Sequence, residues 1–105
     1  MKNLPLKGIK VIDAASFIAA PLVSALMSDY GAEVIKIEPL TGDTYREAVI
    51  GGHVWPESEI DWAFILENRN KRSLSIDLKS KEGQLILKKL LKDTDVFVTN
   101  LPKTP

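Results

Sequence analysis

Two stretches of the chain repeat the same order of patterns, namely a strand rich in branched residues, a helix and a second strand. In the first stretch the strand patterns cover residues 8–13 and 33–38, and in the second they cover 73–78 and 96–99. Strands joined by a helix pair best in parallel. The sequence therefore predicts an α/β fold, a Rossmann-like parallel sheet with two βαβ units. The strand order stays open.

The helices between these strands have recognisable ends. Pro21 suits the first turn of the first helix, and Gly31 suits a left-handed stop after it. The second helix is predicted over residues 81–92, with Ser80 as its N-cap. Its buried face is expected to contain three leucines and one of two neighbours: Leu87, Leu90 and Leu91, with Leu85 or Ile86.

A connection over residues 39–66 separates the two units, and connections of this length inside a compact domain are often functional. Trp62 begins a stretch that is predicted to form a short helix or an extended piece packed on the core. Arg46 is expected to pair with Asp43 or to face a ligand. His53 is the sole histidine, has no partner at metal-ligand spacing, and is expected to be exposed.

Composition limits the classes of function. A length of 105 residues gives one domain at most, with a modest core. Hydrophobic content of 45% and charged content of 27% are typical of soluble globular proteins. We find neither an apolar run long enough for a membrane span nor a signal-peptide pattern. The absence of cysteine excludes disulfides and thiol catalysis, and it is compatible with a cytoplasmic location.

Charge is balanced overall but uneven along the chain. Residues 69–92 hold eight basic and two acidic side chains, whereas residues 1–68 hold five basic and ten acidic ones. A local excess of positive charge attracts phosphate-bearing partners, although half of it lies on a helix face that has the pattern of a solvent-exposed face. Because the rest of the chain is acidic, a phosphorylated small molecule is a better candidate partner than nucleic acid.

Ligands of open α/β sheets bind beyond the carboxyl ends of the strands. Small residues over 14–20 would let backbone amides approach a phosphate or an acyl chain, and they suit tight helix packing equally well. Lys79 and Asn100 follow the third and fourth strands and are candidate contacts to phosphate and to amide or hydroxyl groups. A surface lysine is the plainer alternative for Lys79.

The segment over residues 68–73 supplies amide and guanidinium donors, either for a ligand or for a hydrogen-bonded corner that positions the next strand. We favour the corner for Arg69, Lys71 and Arg72. Neither G-x-G-x-x-G nor a P-loop occurs in the sequence, and neither a Ser/His/Asp set nor a metal-ligand set is detectable.

Several motifs stand in a fixed order along the chain. They are L-x-G-x-x-V-x-D at 6–13, G-A-x-V-I-K-x-E at 31–38, G-D at 42–43, N-x-x-K-R-S at 68–73, and Lys79 with Gly83. In this order they resemble the amino-terminal part of family III CoA-transferases of the CaiB/BaiF type, and the match covers nearly the whole chain. The resemblance implies that residues 1–105 are an amino-terminal Rossmann-like CoA-binding segment, an incomplete domain.

The resemblance also implies an activity, the transfer of CoA between carboxylic acids. In that family an aspartate attacks the acyl-CoA thioester, and an aspartyl-CoA thioester then forms by way of a mixed anhydride. Because that aspartate lies beyond the end of this chain, no catalytic residue is expected here, and the chain alone is expected to be inactive. Coenzyme A or acyl-CoA is expected as a substrate, with no permanently bound cofactor and no metal. The expected partners are acyl-CoA and a carboxylic acid, without nucleic acid or membrane, and the full-length protein is expected to form a homodimer.

The resemblance places the CoA contacts after three of the strands. The matching residues are Ile18, Ala19, Ile76, Asp77, Leu78, Lys79, Asn100, Leu101 and Pro102. The chain has Ile18 where some members have a glutamine, Pro39 where some have an arginine, and T-N-L-P at 99–102 where E-N-[FY]-x-P-G is usual. Two alternatives remain open: a stand-alone, non-catalytic α/β module that binds CoA or a nucleotide, and an interaction domain that binds neither.

Overall fold

The computed structural model describes residues 3–47 and 62–103, and the prediction made for His53 falls outside them. Within these ranges the strands are β1 (Lys10–Ala14), β2 (Glu33–Glu38), β3 (Arg72–Ser75) and β4 (Val96–Thr99). The helices are α1 (Ala19–Asp29), α2 (Thr44–Glu47), α3 (Trp62–Asn68) and α4 (Lys81–Leu91). Of the two alternatives predicted for the stretch from Trp62, the structure has the short helix, which is α3.

The four strands form one parallel sheet in the order β3-β2-β1-β4. Val11 of β1 lies opposite Val34 of β2 on one side and opposite Val96 of β4 on the other. The predicted parallel α/β fold is therefore confirmed. The chain lays down β1, β2 and β3 side by side and then returns to the far side of β1, so a topological switch point lies between β1 and β4. All four carboxyl ends meet at one edge of the sheet.

Alternate strand residues face opposite sides of the sheet, and each side has its own core. On one side Val11 and Val34 pack with Met27 of α1. On the other side the core consists of Ile12, Ala14, Ile37 and Ile76. The partly buried residues that pack against it include Leu87, Leu90 and Leu91 of α4. The sheet is thus covered by α1 on one face and by α4 on the other.

The α4 prediction is correct for its three leucines and wrong for their neighbours. Leu85 is 58% exposed and Ile86 is 45% exposed, so neither is buried against the sheet. Leu87, Leu90 and Leu91 already occupy the stripe that faces the sheet, and the helical rotation turns Leu85 away from it. Ile86 lies four residues before Leu90 and lines an open cavity between α4 and the sheet, so it stays half exposed.

Two strands differ in length from their patterns. β3 ends at Ser75 rather than at residue 78, because Asp77 starts a turn in which its Oδ1 accepts the Lys79 N–H at 3.0 Å. Ile76 still donates its N–H to the Glu38 carbonyl and stays buried at 5% exposure. β1 begins at Lys10 rather than at Gly8, which lies in a turn with φ +88°.

The helix ends follow the predicted pattern. Gly31 has φ +103° after α1 and donates its N–H to the Ser28 carbonyl, as a left-handed stop requires. Ser80 caps α4, since its Oγ accepts the Gly83 N–H at 2.9 Å. A Cβ on Gly83 would lie 1.9 Å from the Asp77 carbonyl oxygen, so the start of α4 packs directly on the turn that follows β3.

Candidate functional site

A cavity of about 400 Å³ lies at the carboxyl edge of the sheet, and we call it the carboxyl-edge cavity. The end of each strand, or the segment that follows it, contributes to its wall. The lining residues are Ala14 to Ser16 at the end of β1, Ile37 to Thr41 at the end of β2, Ile76 to Lys79 after β3 and Leu101 after β4. The wall is mainly apolar, and among the described residues that line it Lys79 is the one cation. This location, beside the switch point between β1 and β4, is where open α/β sheets bind their ligands.

The β1–α1 loop (residues 15–18) supplies one wall of this cavity, and side chains from other elements hold its backbone. Asp13 Oδ1 accepts the Ala15 N–H at 2.9 Å, and Lys36 Nζ donates to the Ala15 carbonyl at 3.0 Å. Asn100 Oδ1 accepts the Ser16 N–H at 3.1 Å, while its Nδ2 donates to the Ser16 carbonyl at 2.8 Å. The loop is therefore tied to β2 and to the segment after β4.

Two buried ion pairs lie behind the loop. Lys36 Nζ is 2.8 Å from Asp43 Oδ2, and both side chains are 1% exposed. Asp43 Oδ2 has no aligned hydrogen bond, so this contact is ionic, while Asp43 Oδ1 accepts the Tyr45 N–H at 2.9 Å. In the second pair Lys71 Nζ is 2.6 Å from Asp13 Oδ2, with exposures of 2% and 0%.

The ammonium group of Lys71 donates to four acceptors. Besides Asp13 it donates to Asn68 Oδ1 and to the carbonyls of Pro21 and Glu67. Burial lowers the pKa of Lys71 and outweighs the opposing effect of the Asp13 carboxylate. With Arg69 bonded to Asp29 and Arg72 to Glu33, the predicted hydrogen-bonded corner is confirmed for all three cations.

Glu38 organises the end of β2. Its Oε2 accepts the Asp43 N–H at 2.8 Å, and its two oxygens bind the Arg46 guanidinium at 2.7 Å each. Burial raises the pKa of Glu38, but hydrogen bonds from Arg46, the Asp43 N–H and Ser73 lower it to about 2. The prediction that Arg46 pairs with Asp43 is wrong, because Asp43 is taken by Lys36 and the nearer carboxylate for Arg46 is Glu38. The Arg46 guanidinium also stacks 4.0 Å from the centre of the Phe64 ring.

The residues proposed as CoA contacts fall into two groups. Those that line the carboxyl-edge cavity are Ile76, Asp77, Leu78, Lys79 and Leu101. Those outside its lining are Ile18 and Ala19 at the start of α1, and Asn100 and Pro102 after β4. Asn100 directs its amide to Ser16, and the other three are exposed.

The sequence did not single out the residues that support the loop from behind. Lys36 and Glu38 entered only as parts of motifs and Asp43 also as an expected partner of Arg46, although the three form buried polar contacts in and beneath the cavity wall. The available signal was a lysine between Ile35 and Ile37 in a strand whose other residues are mostly branched.

A second cavity of about 410 Å³, the amino-edge cavity, lies between the sheet and α4 at the opposite edge. Its wall includes the exposed charged residues Lys10, Glu33, Arg72, Lys89 and Asp93. In the ranges 3–47 and 62–103 no group of acidic or histidine side chains could hold a metal ion. The same ranges contain no helix of the length and apolarity that crossing a membrane requires.

A parallel α/β sheet with an apolar cavity at its carboxyl edge places the chain in the class of open α/β proteins that bind ligands at the ends of their strands. The model of the family "CoA-transferase family III" matches residues 6–104. The chain belongs to that family, which confirms the resemblance drawn from its motifs.

Individual relatives agree with this assignment. The chain is 51% identical over 98 residues to (R)-2-hydroxy-4-methylpentanoate CoA-transferase of Clostridioides difficile, a match that covers 91% of this chain and 24% of that enzyme. It is 38% identical over 100 residues to the succinyl-CoA–L-malate CoA-transferase alpha subunit of Chloroflexus aurantiacus, covering 94% and 23%. A crystal structure of a CaiB/BaiF family protein from Brucella suis matches with TM-score 0.83 and 32% identity, covering 95% and 26%. The chain thus spans about a quarter of the length of these relatives.

Proposed function

We propose that this chain is the amino-terminal CoA-binding segment of a CoA-transferase, and that acyl-CoA binds in the carboxyl-edge cavity. The observation that carries the proposal is that the carboxyl ends of all four strands converge on one apolar cavity. An apolar wall suits the dimethyl and adenine parts of CoA, because burial of such surface is favourable in water. Lys79 at the rim is suited to a phosphate group of the same ligand.

The segment would bind and orient the thioester, while the reaction itself would use an aspartate outside residues 1–105. That aspartate would attack the acyl-CoA carbonyl and expel CoA thiolate, which leaves a mixed anhydride. The thiolate would then attack the aspartyl carbonyl and release the donor acid, and the acceptor acid would take CoA from the aspartyl thioester and free the aspartate. The expected partners are therefore an acyl-CoA and a carboxylic acid, and the expected assembly of the full-length protein is a homodimer. A cytoplasmic location is supported by the absence of cysteine from the chain.

The names of the relatives suggest which acids to test first. One relative is named for (R)-2-hydroxy-4-methylpentanoate and another for L-malate, and both names describe 2-hydroxy acids. We therefore propose 2-hydroxy acids as the first acceptor class to screen, with succinyl-CoA among the donors.

Calorimetric titration of CoA into the gene product that carries this sequence tests the proposal. Lys79→Ala is expected to weaken CoA binding by about 1–3 kcal/mol, the scale of a hydrogen bond to a charged group. Lys88→Ala is the matched control, since Lys88 is an exposed lysine of α4 that does not line the cavity. Equal CoA affinity of Lys79→Ala and the control would reject the assignment of Lys79 to the site.

A second candidate function is a stand-alone module that binds CoA or a nucleotide without chemistry. It is favoured by one observation, namely that residues of this chain alone form a ligand-sized cavity at the carboxyl edge. This candidate predicts that the protein binds CoA but shows no CoA transfer with any acceptor acid. Transfer activity of the gene product would exclude it.

A further inference from the structure

Side chains from other elements hold the backbone of the β1–α1 loop in place. Ala15 and Ser16 form the cavity wall, yet their backbone groups bond to side chains rather than to a strand ladder or a helix. Phe17 adopts a left-handed conformation with φ +68°, which is unfavourable for a bulky residue and persists only where the surroundings impose it.

Both members of the Lys36–Asp43 ion pair reach this loop. Lys36 Nζ donates to the Ala15 carbonyl, and Asp43 Oδ1 lies 3.5 Å from the Phe17 nitrogen, at the long end of the hydrogen-bond range. The pair therefore contacts the loop at two positions, Ala15 and Phe17. Neither residue lines the cavity, and neither does Asn100, whose amide is directed to Ser16.

A buried ion pair is weak evidence for a contribution to stability, because loss of hydration offsets most of the attraction between the charges. A neutral pair of similar volume would often give equal stability. The contacts of Lys36 and Asp43 with Ala15 and Phe17 supply a different use for the pair, since a wall that is already ordered lowers the entropy lost when a ligand binds.

We infer that Lys36, Asp43 and Asn100 are positioning residues, which hold the β1–α1 loop in place as a preformed wall of the acyl-CoA site without contacting the ligand. The inference rests on the proposed function for its ligand. The hold on the loop is a property of the free protein and is testable without any ligand.

The first test uses the double variant Lys36→Met/Asp43→Asn in the whole gene product. It removes both buried charges together and leaves an acceptor oxygen at position 43 for the Tyr45 N–H. The matched control is Arg72→Met/Glu33→Gln, which removes an exposed ion pair at the other edge of the sheet. We expect hydrogen–deuterium exchange at residues 15–18 to become about tenfold faster than in the control, and the Kd for CoA to rise about tenfold. Exchange within β2 should match the control.

A second variant covers the case in which the double variant does not fold. Asn100→Leu removes both bonds to Ser16 from an exposed position and leaves no unpaired buried charge. Faster exchange at Ser16 in the free protein would support a positioning role. Exchange at the control rate, with or without a loss of CoA affinity, would overturn the inference for Asn100, because a direct ligand contact would not change the free loop.

The outcomes separate the inference from the proposed function. If the unsubstituted protein binds no CoA, the proposed function fails, and loop exchange alone decides whether these side chains hold the loop. If the unsubstituted protein binds CoA and the double variant matches the control in both exchange and Kd, the inference fails and the proposed function stands.

Discussion

The two edges of the sheet carry ion pairs of similar chemistry in opposite surroundings. At the carboxyl edge Lys36 and Asp43 are each 1% exposed, whereas at the amino edge Arg72 and Glu33 are 65% and 54% exposed. Lys36 and Glu33 both belong to β2. Water and salt weaken the exposed pair, while the buried pair depends on both partners being present. Burial, more than pairing, therefore decides which charges the local structure depends on.

The two cavities also differ in whether the charged residues around them are buried or exposed. Their volumes are nearly equal, about 400 and 410 Å³, so size alone does not distinguish a candidate ligand site. The carboxyl-edge cavity is backed by buried carboxylates and lysines that tie its loops together, including Asp13, Lys36 and Glu38. The amino-edge cavity has exposed charged residues in its wall, such as Lys10 and Arg72.

Removing one cation from each edge should give the largest difference in the free energy of unfolding. Lys36→Met leaves Asp43 as an unpaired buried charge and is expected to lower the free energy of unfolding by about 3–5 kcal/mol. Arg72→Met removes the cation of the exposed pair and is expected to change it by about 0–1 kcal/mol. Urea denaturation of both variants at pH 7 measures the difference. Equal effects would mean that burial does not separate the two pairs.

Two glycines provide the next comparison. A Cβ on Gly83, at the carboxyl edge, would lie 1.9 Å from the Asp77 carbonyl oxygen, so Gly83→Ala must displace either α4 or the turn after β3. We expect a loss of about 2–3 kcal/mol of stability, measured by thermal or urea unfolding. A Cβ on Gly8, before β1, would meet no atom within 4 Å, although its φ of +88° disfavours other residues.

Gly8→Ala is accordingly the control, with an expected loss of about 1 kcal/mol from the left-handed backbone alone. If Gly8→Ala costs as much as Gly83→Ala, the close packing of α4 on the β3 turn is not the cause. The pair of variants thus separates a steric requirement for glycine from a conformational one.

The sequence predicted the elements well where local pattern and tertiary packing agree. Branched runs placed β2 at 33–38 and β4 at 96–99, the bounds that the structure has. The end of β3 was missed because the Asp77 side chain forms a turn with the Lys79 N–H, and this local bond competes with the strand pattern. The strand order required contacts between distant segments, which no local pattern contains.

The sequence allowed prediction of residues that line the candidate site but not of the buried residues behind it. A cation directly after a strand pointed to Lys79, which lines the carboxyl-edge cavity. Lys36 looked like any polar residue that alternates with isoleucine, and it is buried because Phe64 of α3 and Asp43 come together around it. Asn100 was predicted to contact a ligand, whereas its amide bonds the Ser16 backbone, a contact between residues 84 positions apart. The list of CoA contacts stays a prediction.

Acid should test whether the charge of Glu38 stabilises the carboxyl edge. The pKa of Glu38 is about 2 in the folded protein, below its ordinary value of 4.5, because the donors around it outweigh its burial. Its contribution to stability is therefore complete above pH 4.5 and is lost as the pH falls from 4.5 to about 2. Glu38→Gln lacks that contribution, so we expect it to be less stable than the unsubstituted protein at pH 7. Urea midpoints at several pH values should show the two proteins converging between pH 4.5 and 2. A gap between Glu38→Gln and the unsubstituted protein that stays constant down to pH 2 would show that the Glu38 carboxylate does not contribute through its charge.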